Sequence, residues 1–435
     1  MKTFYSHTEP FAAQWRRILQ RGSSQERAQI ETATKTILDR VRKGGDKSLL
    51  NLSREFDGVE LDASFLRVSA TSIRTALETM DSEWVRCLKF AANKIRSFQR
   101  HILPSPPPDW THGGTRVRYI PSPIQRLGVY VPGGSASYPS SVLANVLPAQ
   151  IAGVPQIALV SPPGPNGLPA PSVLAACALL GVEEVYPLGG AQAIGALAYG
   201  TESIQPVDFI VGPGNAYVTA AKRSVVGLVG IDALAGPTEI AVIADESASP
   251  EWIAADLLSQ AEHDPLAAAV LLTPSESLAQ NTAQALERQL ESLPRKEIAR
   301  ESLESHGALI VTQDLEECIE KCQELAPEHL ELVVQDPSKW TPLLTHAGAI
   351  FVGPWTPEVA GDYVAGPSHV LPTDRTARFT SGLASPLFLR WKAIVEYDRT
   401  DLQQETPILA HLARSEGLEG HARAAEIRFE SDEKP

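Results

Sequence analysis

Val207-Asp208-Phe209-Ile210-Val211 runs straight into Gly212-Pro213-Gly214-Asn215, and Tyr217 to Arg223 follow with helical character. A short apolar run that breaks at glycines and restarts as a helix reads as strand, tight turn, helix. Working outward, the same rhythm repeats. Ile157 to Val160 is a short apolar strand, residues 170 to 180 an Ala/Leu-rich helix, Val182 to Pro187 a strand and Ala191 to Tyr199 a helix. Before them, Val129-Tyr130-Val131-Pro132-Gly133-Gly134-Ser135 is a strand entering a glycine-rich turn. Strands alternating with helices predict a mostly parallel sheet with helices on its faces. A second array follows: a strand at Ala268 to Leu272, a helix from Ser275 to Ser292, a strand at Ala308 to Val311, a helix from Glu316 to Leu325 and a strand at Ala349 to Val352. Two successive arrays predict two related α/β modules.

The flanks read differently. Residues 1 to 25 form a short helical arm around Trp15, Ile18 and Leu19 that ends near Gly22, and residues 26 to 100 are mostly helical with a stop at Gly44-Gly45. Pro104 to Pro108 is a stiff connector, and beyond about residue 385 the tail reads as helical and charged.

At 435 residues the chain is long enough for more than one domain. A net charge of −14 disfavours nucleic acid or an anionic membrane as the main partner. No apolar run is long enough to span a bilayer, and the start lacks an apolar leader segment. Four scattered cysteines make neither a disulfide scaffold nor a thiolate zinc site, so a soluble, reducing, cytoplasmic setting is expected.

Several stretches carry polar groups suited to chemistry. Glu328 and His329 follow Pro327, where a helix must end, and precede the buried run Leu330, Leu332, Val333, Val334. A Glu-His pair at such a corner can move protons, though a bare dipeptide reads more readily as a surface pair. Ser249-Pro250-Glu251 opens a helix running to about Asp264, on which Gln260 and His263 share one face. That face can hold a metal, but spacing alone favours a capped, solvated helix end. Asp362 and His369 lie in the loop Gly361 to His369. In parallel α/β folds ligands gather beyond strand C-termini, so loops 212–215, 326–329 and 353–369 are all expected there. Gly212-Pro213-Gly214-Asn215 can present N–H groups to an anion, but it is as easily a plain tight turn. His421 attracts no argument from pattern.

Taken together, these motifs resemble the histidinol dehydrogenase family. The likeness is carried by Gly45-Asp46, Phe56-Asp57-Gly58, Val129 to Gly134, Gly189 to Ile194, Val211 to Asn215, Asp256 to Asp264, Pro327 to Leu332, Gly366 to Thr373 and Glu416-Gly417-Leu418, in order along nearly the whole chain. The resemblance implies a zinc-dependent oxidation of L-histidinol to L-histidine through histidinal, with reduction of two NAD+. It implies two related, incomplete Rossmann-like βαβ modules with mixed or parallel sheets and small N- and C-terminal helical arms, in a domain-swapped homodimer. The expected division is a 1–25 arm, a first α/β domain of 26–128 and 237–384 with the catalytic pair, an NAD-binding domain of 129–236, and a 385–435 arm reaching the partner subunit.

Residue by residue, the resemblance implies that Gln260, His263, Asp362 and His421 bind one zinc ion per subunit, His421 coming from the partner subunit. Glu328 and His329 become the acid-base residues, His329 for the alcohol and hydrate protons and Glu328 for water. Thr238, His369 and Glu416 match substrate contacts, alongside Gln260, His263, Glu328, Asp362 and His421. Tyr130, Gln192 and Asn215 match NAD contacts. Two departures stand out. Thr238 replaces the usual Ser of Gly-Pro-Ser-Glu, and Asp374-Arg375 replaces the usual Gly-Gly. Two other readings are open: a relative of the same fold oxidising another small alcohol, which Thr238 mildly favours, and a non-catalytic zinc-binding protein, which the filled acid-base positions weaken. A metallohydrolase finds no His-Glu-x-x-His helix to support it.

Overall fold

The computed structural model describes residues 1–21, 24–62, 66–133 and 137–429. Gly22, the expected end of the first helix, and Gly134-Ser135 of the first glycine-rich turn lie outside the described residues. The chain divides into two units, residues 1–102 with 124–388, and residues 103–123 with 389–435. Along the chain, β1 (Thr3–Tyr5) opens the first unit, and β2 (Trp110–His112) and β3 (Thr115–Pro123) belong to the second. The first unit continues with β4 (Arg126–Tyr130), β5 (Gln156–Ser161), β6 (Glu184–Pro187), β7 (Phe209–Val211) and β8 (Gly230–Ile231). It is completed by β9 (Glu239–Ala244), β10 (Ala268–Thr273), β11 (Ala308–Val311), β12 (His329–Val333) and β13 (Ala349–Val352), and β14 (Leu389–Tyr397) returns to the second unit.

Two parallel sheets make the first unit. One has the order β6-β5-β4-β7-β8 and the other β1-β11-β10-β9-β12-β13. Leaving out the edge strand β1, both follow the same plan. The first strand of each sits in the middle, the next two lie on one side and the last two on the other. That is the doubly wound order short of its sixth strand, so the expected pair of incomplete Rossmann-like modules is present. Every residue of β4, β9 and β10 is buried, as a parallel strand covered on both faces requires. Each fully buried Ile, Leu or Val contributes about 1.5–3 kcal/mol, so these central strands anchor each module.

The flanks differ from expectation. The helix expected around Trp15, Ile18 and Leu19 is present as Glu9–Leu19, but it is preceded by β1, which pairs with β11, and Phe11, Trp15 and Ile18 enter the core against that sheet. The helix Ser24–Phe56, kinked where Gly45 takes a φ of 48°, packs on the five-stranded module rather than on the module of 237–384. Its Leu38 and Val41 meet Gly195, where an added Cβ would come within 3.1 Å of Leu38 Cδ2. The absence of a side chain at Gly195 lets two helices close up.

In the second unit, β14-β3-β2 form an antiparallel sheet, and the helices Arg399–Ser415 and Glu419–Glu426 follow. The tail from 385 is thus not helical throughout. Its first stretch pairs with β3, about 270 residues earlier, and only then turns helical. Asp401 holds this unit together by accepting the Gly114 N–H at 2.6 Å.

Candidate active site

The corner at Pro327 forms as the sequence predicts, with one local cost. The helix Leu315–Leu325 stops at Ala326, which is buried and left-handed at φ 47°. Proline at 327 disfavours a right-handed continuation, and burial over-determines the conformation that results. β12 starts at once, with His329, and pairs with β9 on one side and β13 on the other.

Both members of the pair are anchored by one residue of β9. The Glu239 N–H donates to Glu328 Oε2 at 3.2 Å, and the Glu239 carbonyl accepts from His329 Nδ1 at 3.2 Å. A carbonyl can only accept, so Nδ1 carries the hydrogen and Nε2 keeps the free lone pair. The Glu239 side chain is itself fixed, by the buried Arg21 at 2.7 Å and by the Asp374 N–H at 2.5 Å. Glu328 is 7% exposed, and burial pushes its carboxyl up to about 8 against the opposing pull of its two hydrogen-bond donors.

Next to Glu328 lies Thr238, whose hydroxyl donates to Oε2 at 2.5 Å and accepts from the Gln260 amide Nε2. Gln260 Oε1 is buried and has no hydrogen-bond partner among the described residues. An orphaned, buried amide oxygen is a fitting donor for a cation. The helix carrying it, Pro250–Ala261, ends with Glu262 as its cap, so His263 stands just past the helix rather than within it. Desolvation holds the His263 imidazole below its usual pKa, although part of the residue faces solvent, and the ring is close enough to feel Asp362 and His329. A neutral imidazole is what a metal ligand needs.

The segment after β13 adds carboxylates. Asp362 Oδ1 lies 4.0 Å from His329 Nε2, and Glu358 Oε1 lies 3.6 Å from it. The donor atoms of His329, Glu358 and Asp362 lie within 4.8 Å of one another, a set that could also hold a cation. Sequence reasoning missed Glu358. The signal was faint: a lone Glu in Pro357-Glu358, 29 residues from His329. His369 Nδ1 meets the Asp362 carbonyl at 2.9 Å, and its Nε2 lies 3.4 Å from Ser141 Oγ in the first turn of the helix after β4.

His369 therefore joins the two modules, and their contributions come from opposite strand ends. Tyr130 is the last residue of β4 and Gly212-Pro213-Gly214-Asn215 follow the C-terminal end of β7, at the point where the strand order reverses. Tyr130 Oη accepts the Gly190 N–H at 3.2 Å, Gln192 is buried in the same helix, and Asn215 caps the next helix. Lys222 and Asp232 pair in the interior and clamp Gly212, its carbonyl at 3.0 Å from Nζ and its N–H at 2.8 Å from Oδ2. Gly212 has a φ of 112°, and a Cβ would strike the Tyr130 carbonyl at 2.0 Å. Thr238, Glu328 and His329 instead occupy the N-terminal edge of β9 and β12. The expectation that loop 326–329 lies beyond strand C-termini is corrected. The loop precedes its strand, and the helix Pro250–Ala261, running back from β9, brings Gln260 to the same edge.

A family model described as histidinol dehydrogenase matches residues 20–429. The chain belongs to the histidinol dehydrogenase family. It is 48% identical over 421 residues to the histidinol dehydrogenase of Geobacillus kaustophilus, covering 96% of this chain and 97% of that one. It is 48% identical over 432 residues to that of Listeria innocua, covering 99% and 100%. The crystal structure of histidinol dehydrogenase from Elizabethkingia anophelis superposes with a TM-score of 0.91 at 35% identity, covering 100% of this chain and 99% of that one.

Of the positions matched to the histidinol dehydrogenase family, Thr238, Gln260, His263, Glu328, His329, Asp362 and His369 belong to the first unit and are linked by the contacts above. Glu416 and His421 belong to the second unit, where both are exposed. The Asp374-Arg375 departure has a clear backbone meaning. Both residues are left-handed, at φ 52° and 64°, the region that glycine enters without penalty.

Proposed function

We propose that this chain oxidises L-histidinol through L-histidinal to L-histidine with reduction of two NAD+, the closing oxidations of histidine biosynthesis. The observation that carries the reading is that two adjacent bases each have one atom anchored and one atom free. Glu239 ties down His329 Nδ1 and Glu328 Oε2. His329 Nε2 and Glu328 Oε1 remain for chemistry.

In the first oxidation His329 Nε2 takes the hydroxyl proton as the carbinol C–H bond breaks and its hydride leaves. In the second, Glu328 takes a proton from water as the water oxygen bonds to the aldehyde carbon. His329, having released its first proton to solvent, then takes a proton from the hydrate as the second hydride departs to the second NAD+ and the carboxyl group forms. General bases of this kind contribute about 10²–10⁴-fold each. Membership of the family and the orphaned Gln260 Oε1 support a zinc site formed by Gln260, His263 and Asp362, with His421 of the partner subunit completing it in a homodimer. Zinc there would polarise and orient the substrate oxygen. Glu416 of the partner subunit and His369 would contact the substrate, the acidic group suiting a cationic amine.

NAD+ is the hydride acceptor, and we assign it to the module of residues 129–236. Tyr130, Gln192 and Asn215 sit there around the strand-order switch, where Asn215 caps the helix that follows β7. Among the described residues no helix is long and apolar enough to cross a membrane, which suits an enzyme using the cytoplasmic NAD pool.

The test is direct. Purified protein with zinc, L-histidinol and NAD+ should form NADH and histidine, and L-histidinal should be oxidised without histidinol. Turnover of a different alcohol with none of histidinol would overturn the substrate assignment.

A further inference from the structure

We propose that Thr238 is a positioning residue that fixes which face of the Gln260 amide is offered to the metal and, through the same hydroxyl, ties that amide to Glu328. This goes beyond a substrate contact at position 238, and it rests on the reading of Gln260 as a metal donor.

The argument is one of hydrogen-bond direction. A hydroxyl has a single hydrogen to give and lone pairs to receive. Thr238 gives its hydrogen to Glu328 Oε2, which already accepts the Glu239 N–H and so acts as an acceptor oxygen on both sides. The Thr238 oxygen can then only accept from its other neighbour. That neighbour is Gln260, so the amide must turn its NH₂ toward Thr238. The carbonyl oxygen is thereby forced to the opposite side, where it is buried and unpartnered. Without the hydroxyl nothing on this side distinguishes the two amide faces, and an NH₂ group is no ligand for a cation. Gln260 is 2% exposed, and the added methyl of Thr238→Val would occupy the hydroxyl's place, so in that variant no water takes over from the lost partner.

The backbone fixes the hydroxyl in turn. Thr238 stands immediately before β9, its carbonyl held by the buried Arg21 at 3.1 Å and by the Ala268 N–H at 3.0 Å. Threonine is branched at Cβ and stiff at χ1, so the methyl group helps to hold the hydroxyl on its two partners. The link also runs toward Glu328. Removing the hydroxyl leaves Oε2, among the described residues, with the Glu239 N–H as its one donor and loosens the carboxylate that activates water.

The experiment compares Thr238→Val, which keeps the shape and removes the hydroxyl, with Thr238→Ser, which keeps the hydroxyl, in the full-length protein. Thr238→Ala serves as a smaller second variant that cannot clash. Zinc affinity is measured by competition with a chromophoric chelator in the absence of substrate, and each variant's thermal transition is recorded. Gln260→Ala reports on the metal reading itself. Loss of one outer partner of a metal ligand typically weakens binding about 10–100-fold. The expected result is a loss of that size in Thr238→Val and Thr238→Ala and wild-type affinity in Thr238→Ser. Histidinal oxidation should also slow more than histidinol oxidation. If Gln260→Ala loses zinc but Thr238→Val and Thr238→Ala hold it as the wild type does, the positioning role is overturned and the metal reading stands. If Gln260→Ala holds zinc unchanged, both fall together.

Discussion

Glu358 Oε1 lies 3.6 Å from His329 Nε2 and has no hydrogen-bond partner of its own among the described residues. Its carboxylate is aimed by two other contacts: its N–H donates to Glu331 Oε1 at 2.7 Å and its Oε2 accepts from Ser259 Oγ at 3.2 Å. Burial pushes its carboxyl up to about 7 while the His329 imidazole pulls the other way. A carboxylate so placed stabilises the imidazolium formed when Nε2 takes a proton. Glu358→Gln should lower kcat for both oxidations by about 10–100-fold, leaving the KM for NAD+ unchanged. Wild-type rates for both half-reactions in this variant would reduce the contact to packing.

The Glu328 and His329 roles separate by half-reaction. His329→Asn should cripple both oxidations by about 10²–10⁴-fold, whereas Glu328→Gln should spare histidinol oxidation and cost histidinal oxidation a similar factor. The pH dependence has a definite sign. Glu328 works as a base only when ionised, and its carboxyl is raised to about 8, so histidinal oxidation should climb as pH rises through that value. In Glu328→Gln the climb should vanish from the residual rate. Stopped-flow NADH traces with histidinal across this range decide the matter, and equal losses in both half-reactions would remove the water-activating role.

If His421 serves the neighbouring subunit's site, two inactive variants should rescue each other. Mixing His421→Ala with Glu328→Ala under subunit exchange places both lesions in one of the two shared sites and leaves the other intact. About a quarter of wild-type activity is expected at full exchange, half the molecules being mixed dimers with one working site. A mixture as inactive as its components would return His421 to its own chain.

Arg375 carries a side chain at φ 64°, which costs roughly 1 kcal/mol or more relative to glycine. Glycine also widens the unfolded ensemble, which offsets part of the gain. Arg375→Gly should therefore raise stability by about 0.5–1 kcal/mol, read as a small rise in Tm. A fall would show that the contact of Arg375 Nε with the Glu324 carbonyl at 3.1 Å outweighs the strain.

Much of this was legible in sequence, and the gaps have physical reasons. The alternation from Val129 to Val211 marks β4 to β7 well, because each strand is followed by a glycine-rich stop. β9 carries no such mark. Glu239 to Ala244 is buried throughout, so it lacks the alternation that separates a strand from a buried helix. β14 reads as helix in the sequence because its partner β3 is remote in the chain and charged residues along it obscure the two-residue period. Glu328 and His329 were visible as a pair, but their edge of the sheet was not. The usual rule places sites beyond strand C-termini, and here the strand begins at the chemistry. Glu358 could not be found, since only the fold brings it to His329.

The anchoring of both bases by the Glu239 main chain sets a limit on how this site can change. A side chain can be exchanged by point substitution, but the peptide N–H and C=O that hold Glu328 and His329 are present whatever residue other than proline stands at 239. Substitution there acts only indirectly, through Arg21 and the Asp374 N–H. A single-residue insertion or deletion at the head of β9 would instead displace both anchors together, and by the alternation of strands turn their neighbours to the wrong face. The register of β9 against β12 is therefore inherited as one unit with the chemistry.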